Sequence, residues 1–242
     1  MSKKLIITAD DYGLSEDANK SIVECYRRGA VTDISLLAGA EAFGHAVRLA
    51  RENGINKIGV HLAAAGDYKS FFLKYFTGLV NANELYANFK EQIYKVKKSG
   101  FKITHLDSHQ HVHMVPGIFR MAAELMKEEG IEYARFPLEK LSFSEKLSNP
   151  VGWMRNILLS SACRASRGIL AARGIKHNDY FIGHARALRL RREDFFSAIS
   201  GLKEGLTELG CHPGQHKEES DVLCDKSFID KIKERNIDLA AY

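Results

Sequence analysis

The chain alternates short apolar runs with longer segments in which apolar residues recur every three or four positions. Short runs of this kind predict buried strands, and the longer periodic segments predict amphipathic helices. Strands are predicted over residues 5–10, 33–39, 57–63, 102–109, 133–137 and 205–213, with 237–242 as a candidate last strand. Helices are predicted over residues 15–28, 42–52, 82–99, 116–129 and 226–235. This alternation favours one parallel sheet with helical crossovers, either open or closed into a barrel.

Two segments break the alternation, and local signals mark the ends of some helices. Residues 67–76, DYKSFFLKYF, are predicted to form an aromatic loop that stacks on a sugar ring or packs in the core. Residues 140–178 are predicted to form a helical, basic insertion within a single domain that spans residues 1–242. Ser15 is the expected cap of the first helix, and the helix over 116–129 is expected to open with Pro116 and to end at Gly130.

Composition narrows the class of protein. A length of 242 residues fits one α/β barrel, and 45% hydrophobic with 27% charged residues is typical of globular proteins. No apolar run reaches the length of about eighteen residues that a transmembrane helix needs. The N-terminal stretch holds too few apolar residues for a signal peptide, and the four cysteines are widely spaced without a CxxC motif. We therefore expect a cytoplasmic protein.

The net charge of +5 is unevenly distributed along the chain. Between Arg155 and Arg192, eight arginines and one lysine accompany a single acid, Asp179. Such a segment is either a solvated surface or a patch for an anionic partner, such as a lipid headgroup or a phosphate. No helix-turn-helix, zinc-finger or RNA-binding signature accompanies the charge, so nucleic acid is not an expected partner.

Polar side chains cluster where predicted strands end. Asp10 and Asp11 follow the first strand, and His61 lies at the end of the third. The run THLDSHQHVHM covers residues 104–114, and Cys-His-Pro-Gly covers residues 211–214. Charge at buried strand ends is costly unless an opposite charge compensates it. A divalent metal ion would provide that compensation.

The spacing of the histidine run limits how many of its side chains can bind one metal ion. His105, Asp107, His109, His111 and His113 are spaced by two residues, so an extended strand would point all five to one face. At a rise of about 3.3 Å per residue, the first and last would lie roughly 26 Å apart and could not bind one metal ion. The geometry favours Asp107 and His109 as the pair near one ion. His111 and His113 would then lie in the following loop and face the substrate.

Each cluster by itself has an ordinary structural explanation. A single histidine such as His61 is usually a hydrogen-bonded core residue, and adjacent aspartates usually form a turn or a helix cap. A His-rich loop is often a solvated surface tract. Together, however, the clusters fall at consecutive strand ends of one sheet, which favours a metal site. No zinc-protease HExxH, phosphate-binding, GxSxG or GxGxxG motif offers a competing explanation.

Several segments resemble one known family. They are ITADDYGLSEDANKSI (7–22), GAVTDISLLA (29–38), GVHL (59–62), THLDSHQHVHMVPGIF (104–119) and CHPG (211–214). In this order, the segments are similar to those of the YdjC-like carbohydrate deacetylases. The stretch from GIKHNDYFIG to GLTELGCHPG further resembles the hopanoid-biosynthesis-associated branch of that family.

The resemblance implies a fold and an activity. The fold would be a distorted (β/α) barrel of the polysaccharide-deacetylase-like type. The activity would be hydrolytic removal of an acetyl group from an N-acetylated amino sugar with one divalent metal ion. Matched by motif, the metal ligands would be Asp11, His61 and His109, the general base Asp10 and the general acid His212.

Two further residues would support this site. Arg135 lies in ARFP, which resembles the Arg-x-Pro element of polysaccharide deacetylases, where the arginine orients the catalytic aspartate. Asp107 would hydrogen-bond a ligand histidine and fix its tautomer. Two histidines and one carboxylate suit Zn²⁺, and Mg²⁺ is compatible with a water-rich version of the same site.

Other functions and partners are also compatible with these residues. A metal-dependent phosphoesterase on a similar barrel would hold two or three ions, and a catalytically silent barrel would only bind sugars. The basic segment, Trp153 and the apolar run 156–159 suggest peripheral contact with an anionic membrane or a glycolipid. A homodimer is the expectation from the general frequency of symmetric oligomers.

Overall fold

A computed structural model describes residues 2–64, 66–187 and 189–242. The strands are β1 (Lys3–Tyr12), β2 (Asp33–Leu36), β3 (Lys57–Leu62), β4 (Lys102–Ser108), β5 (Tyr133–Ala134), β6 (Lys176–His177), β7 (Tyr180–Ile182), β8 (Gly205–Cys211) and β9 (Ile237–Leu239). The helices are α1 (Glu16–Arg27), α2 (Phe43–Glu52), α3 (Tyr68–Phe76), α4 (Ala82–Lys98), α5 (Ile118–Glu129), α6 (Phe143–Ser148), α7 (Pro150–Arg173), α8 (Arg192–Ser200), α9 (Lys217–Leu223) and α10 (Lys226–Glu234). A 3₁₀ helix, His109–Met114, follows β4.

All pairings between the described strands are parallel, in the order β6-β5-β4-β3-β2-β1-β8-β7. The two ends of this path are joined by one short segment, because β6 pairs with β5 while β7, two residues later, pairs with β8. The sheet therefore curves into an incomplete, distorted barrel. The predicted single-domain α/β barrel is confirmed.

The longest strand, β1, is an interior strand that is paired on both edges. Its first residues pair with β9, its later residues pair with β2, and its other edge pairs with β8 along most of its length. From Leu5 onwards every residue of β1 is buried, as expected for a parallel strand that is covered on both faces. The carboxyl ends of β1, β3, β4 and β8 consequently meet on one side of the barrel, where active sites of such folds form.

The local helix signals have mostly predicted the right ends. The Ser15 side chain accepts a hydrogen bond from the backbone N–H of Ala18 and caps α1. Gly130 ends α5 in a left-handed conformation with φ of 69°. Pro116, by contrast, precedes Gly117, the N-cap of α5, so it lies outside the first helical turn.

The aromatic segment over 67–76 is a helix, and the prediction of a loop was wrong. Asp67 caps α3 by accepting a hydrogen bond from the backbone N–H of Ser70. Phe71 is buried, while Leu73 and Phe76 are exposed, so the segment has one inward face. The helical spacing was not recognisable in the sequence, because aromatic residues occupy both the buried and the exposed face of this helix. The short helices α8 and α9 were also missed.

The predicted helical segment over 140–178 contains α6 and the long helix α7, but its last residues form β6 instead. The buried face of α7 consists largely of small or polar residues, among them Gly152, Ser160 and Cys163. Among the described residues, no helix has both the length and the apolar character needed to cross a bilayer.

Several predicted strands were too long, since β2 ends at Leu36, β5 at Ala134 and β8 at Cys211.

Candidate active site

The end of β1 places two adjacent carboxylates in different surroundings. In a regular strand Asp10 and Asp11 would point to opposite faces of the sheet. The register between β1 and β2 shifts between Ala9 and Tyr12, and Asp11 has a left-handed backbone with φ of 61°. An irregularity of this kind turns a side chain towards a new direction. Both carboxylates thereby approach the same group of side chains.

Asp11, His61 and His109 form a cluster that fits one metal ion. Their potential ligand atoms lie within 4.8 Å of one another. Asp11 Oδ1 is 2.7 Å from His109 Nδ1 and 3.3 Å from His61 Nε2. Asp11 and His61 are buried, whereas His109 is 29% exposed and leaves the cluster open on one side. Three nitrogen and oxygen donors with one open side are typical of a catalytic metal site.

Hydrogen bonds to these side chains fix their charge. Burial disfavours the charged form of Asp11, but hydrogen bonds from His109 and His61 hold the pKa of its carboxyl well below its usual range. Burial likewise opposes protonation of His61, yet Asp107 and Asp10 raise its pKa to about 10. The site is therefore rich in negative charge and attracts a cation.

Asp107 orients one of the histidines rather than pairing with His109. Its Oδ1 is 2.8 Å from His61 Nδ1, so the other ring nitrogen of His61 is directed to Asp11. Asp107 also accepts a hydrogen bond from Ser35, and its Oδ2 lies 2.6 Å from Arg135 Nη1. A carboxylate behind a ligand histidine fixes the tautomer of the ring. The grouping of Asp107 with His109, inferred from strand geometry, does not match this arrangement.

Arg135 lies fully buried between carboxylates. Its Nη1 and Nη2 atoms each donate to one oxygen of Asp10, at 2.7 Å in both cases, and its Nε donates to Glu208 at 2.8 Å. Asp10, His61 and Asp107 also lie close enough to hold a metal ion. The guanidinium of Arg135 already contacts both of these carboxylates and supplies the positive charge there. Asp11, His61 and His109 are therefore the group whose donor atoms could hold a metal ion without an arginine already beside two of its members.

His212 enters the site from the end of β8. Its Nε2 atom is 4.0 Å from Asp10 Oδ2, and its backbone N–H donates to Glu219 at 2.6 Å. The ring is 15% exposed, and Nδ1 has no hydrogen-bond partner among the described residues. Asp10 thus lies between Arg135 on one side and His212 on the other.

Sequence reasoning missed two residues that contact the site. Gln215 Nε2 donates to Asp11 Oδ2 at 2.7 Å, and Glu208 binds Arg135 from inside the barrel. Gln215 directly follows the CHPG motif, so its position offered a signal. The signal for Glu208 was an acidic residue in the middle of an otherwise apolar buried strand.

The histidine run leaves the strand after Ser108, so His111 and His113 lie beyond it as predicted, but the expectation that His113 faces the substrate was wrong. The strand ends at Ser108, and Gln110 and His111 both have positive φ, 53° and 55°. His113 is enclosed, with Nδ1 at Ser108 and Nε2 3.0 Å from the carbonyl oxygen of Arg135. It supports the Arg135 backbone from inside the barrel, away from the open side of the cluster.

The remaining histidines of the run lie apart from the metal cluster. Burial and the neighbouring His184 hold the pKa of His111 well below its usual range, and its ring packs 5.0 Å from that of His184. His105 is buried beneath the site, and burial lowers its pKa to about 4. A Cβ atom at Gly59 would lie 2.1 Å from the His105 ring, so glycine is required beside it.

A cleft of about 500 Å³ opens beside His109. One wall is apolar and includes Leu14 and Leu37, and the opposite wall carries Asn88 and Lys95 of α4. Tyr68, at the start of α3, lies at the edge of the cleft with its ring 5.1 Å from that of His109. The open side of the metal cluster therefore faces a cavity large enough for a small molecule.

Comparison with known proteins agrees with this fold. The chain is 36% identical over 142 residues to a carbohydrate deacetylase of Clostridium beijerinckii, covering 53% of this chain and 58% of that protein. A solved protein of Enterococcus faecalis V583, named for cellobiose-phosphate cleavage, superimposes with a TM-score of 0.74 at 23% identity, over 100% of this chain and 98% of the other.

The barrel type is also found in more distant structures. A solved peptidoglycan N-acetylglucosamine deacetylase has a TM-score of 0.56 at 13% identity, over 99% of this chain and 86% of that one. At such low identity the likeness concerns the fold alone. The model of the family described as YdjC-like protein, by contrast, matches residues 4–234. The motifs, the barrel and this match agree, and the chain belongs to the YdjC-like protein family.

Proposed function

We propose that the protein removes the acetyl group of an acetylated amino sugar by metal-dependent hydrolysis. The observation that carries this proposal is that the two adjacent carboxylates at the end of β1 have different partners. Asp11 belongs to the metal cluster, while its neighbour Asp10 is held by Arg135 beside that cluster. The name carbohydrate deacetylase of a relative supports the same reaction, although the chain spans only 58% of that relative's length.

Asp11, His61 and His109 would hold one divalent ion, either Zn²⁺ or Mg²⁺. The donor set fits such an ion, because a carboxylate and two imidazole nitrogens already converge and Asp107 directs one ring towards them. A divalent ion at this position supplies Lewis-acid chemistry that polarises an amide carbonyl and makes water more acidic. All proton transfers are carried out by side chains of the chain itself.

Asp10 is proposed as the general base. Arg135 fixes the plane of the Asp10 carboxylate through two parallel hydrogen bonds, and each carboxylate oxygen keeps a further lone pair for a proton. The attacking water forms a bond to the acetyl carbon through its oxygen and gives one proton to Asp10. Fixed orientation of the base is the contribution of Arg135 to this step.

His212 is proposed as the general acid. The C–N bond breaks as the amine nitrogen takes a proton from the imidazole, which yields acetate and a free amine. An imidazole suits this role because its ordinary pKa lies near neutrality. The 4.0 Å between His212 Nε2 and Asp10 Oδ2 leaves the two groups close enough to act on one amide. The sugar ring would occupy the cleft that Tyr68 borders.

The reaction is tested by measuring acetate release. N-acetylglucosamine, its short β-1,4 oligomers and an N-acetylglucosaminyl lipid are offered with added Mg²⁺, Zn²⁺, Mn²⁺ or Co²⁺. We expect acetate only when a metal is present, loss of activity with a chelator, and one bound ion per chain. Two or three ions per chain together with hydrolysis of phosphate esters would favour the phosphoesterase alternative instead.

We further propose that the helical segment α6–α7 contacts an anionic membrane. Its outward apolar side chains include Phe143, Leu147, Met154 and Leu158, which are 76%, 68%, 63% and 69% exposed. An apolar patch of this extent usually marks an interaction surface. Residues 140–173 also carry six basic residues against one acid, which complements anionic headgroups. Because α7 packs against the 3₁₀ helix that carries His109, this face adjoins the active-site loop.

The membrane contact predicts binding to vesicles. The protein is expected to float with vesicles of phosphatidylglycerol and phosphatidylcholine in equal parts, and not with phosphatidylcholine alone. Since burying each large apolar side chain contributes about 1.5–3 kcal/mol, replacing Phe143, Leu147 and Met154 by serine should weaken binding more than 10-fold. A Leu73→Ser, Phe76→Ser variant is the control, since these α3 side chains are as exposed, at 69% and 74%.

Two results would count against the proposed membrane contact. Absence of wild-type flotation with the anionic vesicles would contradict the membrane contact. If the wild type were instead a dimer that the serine variant converts to monomers, the face would belong to a second copy of the chain.

We propose that the protein works in the cytoplasm, where the Sγ atoms of Cys25 and Cys224, only 3.5 Å apart, would remain reduced.

A further inference from the structure

We propose that Glu208 is a positioning residue for the reaction, acting on Asp10 through Arg135, and that Tyr242 fixes Glu208 from the opposite side. The inference rests on the proposed role of Asp10 as the general base. It assigns a function to a buried carboxylate that neither binds the metal cluster nor reaches the cleft. Hydrogen bonds join Glu208, Arg135 and Tyr242 inside the barrel.

Glu208 is fully buried and receives hydrogen bonds from three separate parts of the chain. Its Oε1 accepts from Arg135 Nε at 2.8 Å and from Thr8 Oγ1 of β1, also at 2.8 Å. Its Oε2 accepts from the Tyr242 hydroxyl at 2.5 Å. Three donors leave this carboxylate a single orientation. Glu208 therefore provides a fixed point beneath the site.

Arg135 connects Glu208 to Asp10, so the fixed orientation of Glu208 also determines that of the Asp10 carboxylate. A guanidinium is planar, so its five N–H groups keep constant directions relative to one another. Two nitrogens of Arg135 bind Asp10, and the third, Nε, is bound by Glu208. Holding Nε prevents the guanidinium plane from turning about its long axis. The Asp10 carboxylate, paired bidentately with that plane, is then held in one orientation as well.

Tyr242 completes the arrangement at the inner end of the barrel. Its ring lies 4.4 Å from that of His105, and its backbone N–H donates to Asp33 Oδ2 at 3.2 Å. Burial and the adjacent Glu208 raise the pKa of the phenol well above its ordinary value, so the hydroxyl keeps its proton and remains a donor. Tyr242 thus holds Glu208 at the oxygen that Arg135 does not use.

Simple packing does not account for a carboxylate at this position. Taking a charge out of water is costly, and an apolar side chain of similar volume often fills such a space at lower cost. Burial raises the pKa of Glu208, while Arg135 opposes that rise. Unlike an apolar side chain, the Glu208 carboxylate fixes the orientation of the Arg135 guanidinium. An effect on catalysis that exceeds the effect on metal binding is the signature of this role.

The experiment compares Glu208→Ala, Glu208→Gln and Tyr242→Phe with the wild-type protein. The control is Thr104→Val, which removes the partly buried hydrogen-bond contacts of Thr104 with Asp33 and His105 at the same end of the barrel without touching Arg135. Each protein is measured for kcat, KM, bound metal and thermal unfolding. The Nε–H signal of Arg135 is followed by NMR and assigned by its loss in Arg135→Lys.

We expect Glu208→Ala to lower kcat by about 10²-fold, the loss that a misplacement of about 1 Å can cause, with KM and metal content nearly unchanged. Its Arg135 Nε–H should exchange rapidly with solvent. Glu208→Gln should recover most of the activity, because its amide oxygen can accept the same two bonds. Tyr242→Phe should lose only a few-fold in kcat. Thr104→Val should lose stability but not kcat.

Several outcomes would overturn the inference. One is wild-type kcat together with a protected Nε–H signal in Glu208→Ala. Another is a loss of metal that accounts for the whole loss of activity. If Glu208→Ala does not fold, an unchanged kcat in Tyr242→Phe would count against the proposal. A wild-type protein that releases no acetate, but whose Arg135 signal still depends on Glu208, would contradict the proposed function and not the positioning of Arg135.

Discussion

Replacing Asp10 with asparagine is expected to lower kcat by about 10³-fold while the bound metal stays at one ion per chain, because general bases typically contribute 10²–10⁴-fold. The amide cannot take the proton of the attacking water. It also presents an NH₂ group to one of the two Arg135 nitrogens that Asp10 binds at 2.7 Å. Acetate release and metal analysis of the same preparation measure the two effects separately.

Asp179→Asn provides a matched control for that substitution. Asp179 accepts a hydrogen bond from the backbone N–H of Leu206 at 2.8 Å, at the opposite end of β8 from His212. Its amide variant can keep this bond and should retain wild-type activity. If Asp10→Asn kept more than a tenth of the wild-type kcat with its metal in place, Asp10 would not be the base. A variant that also lost its metal would place Asp10 within the metal site.

A double change of His61 and His109 to alanine is expected to abolish both metal binding and acetate release. Asp11 would then be the only member of the cluster left, and one carboxylate does not retain a divalent ion at micromolar concentrations of free metal. Removal of His61 also leaves Asp107 without the ring that it binds at 2.8 Å. Metal content by mass spectrometry and acetate release should fall together, and added Zn²⁺ or Mg²⁺ should not restore them.

Two histidines outside the cluster serve as the comparison for this variant. His45 contacts Asn19 on the outer layer, and His177 bonds to the carbonyl of Asn178. Their double alanine variant loses as many imidazoles but should keep the metal and the activity. Retention of metal and activity in the His61 and His109 variant would remove the basis of the metal assignment.

The sequence predicted most of the fold because its main signals are local. Apolar periodicity depends on a few neighbouring residues, and a cap such as Ser15 acts within one helical turn. The helix α3 escaped because its aromatic residues conceal the period, although Asp67 is its cap. The course of the histidine run beyond Ser108 could not be predicted, because it depends on two positive φ values, at Gln110 and His111, and nothing in the spacing of the histidines reveals them.

The site was predictable where residues follow strand ends and unpredictable where distant strands meet. Asp10, Asp11 and His61 stand at the carboxyl ends of strands, so a parallel sheet alone brings them to one edge. Glu208 and Arg135, by contrast, are 73 positions apart in the chain. Their contact depends on the closure of the barrel through β6 and β7, which no local pattern encodes.

The left-handed backbone at Asp11 has a consequence for redesign of the proposed metal site. With φ of 61°, this position favours glycine, asparagine and aspartate, and most other side chains would add about 1–2 kcal/mol of strain. Exchanging the carboxylate for a softer thiolate or imidazole there would therefore distort the end of β1. His61 lies within the strand β3, where a cysteine meets no such penalty. An engineer who wishes to change the metal preference of this protein should alter the histidine side of the cluster and leave the aspartate in place.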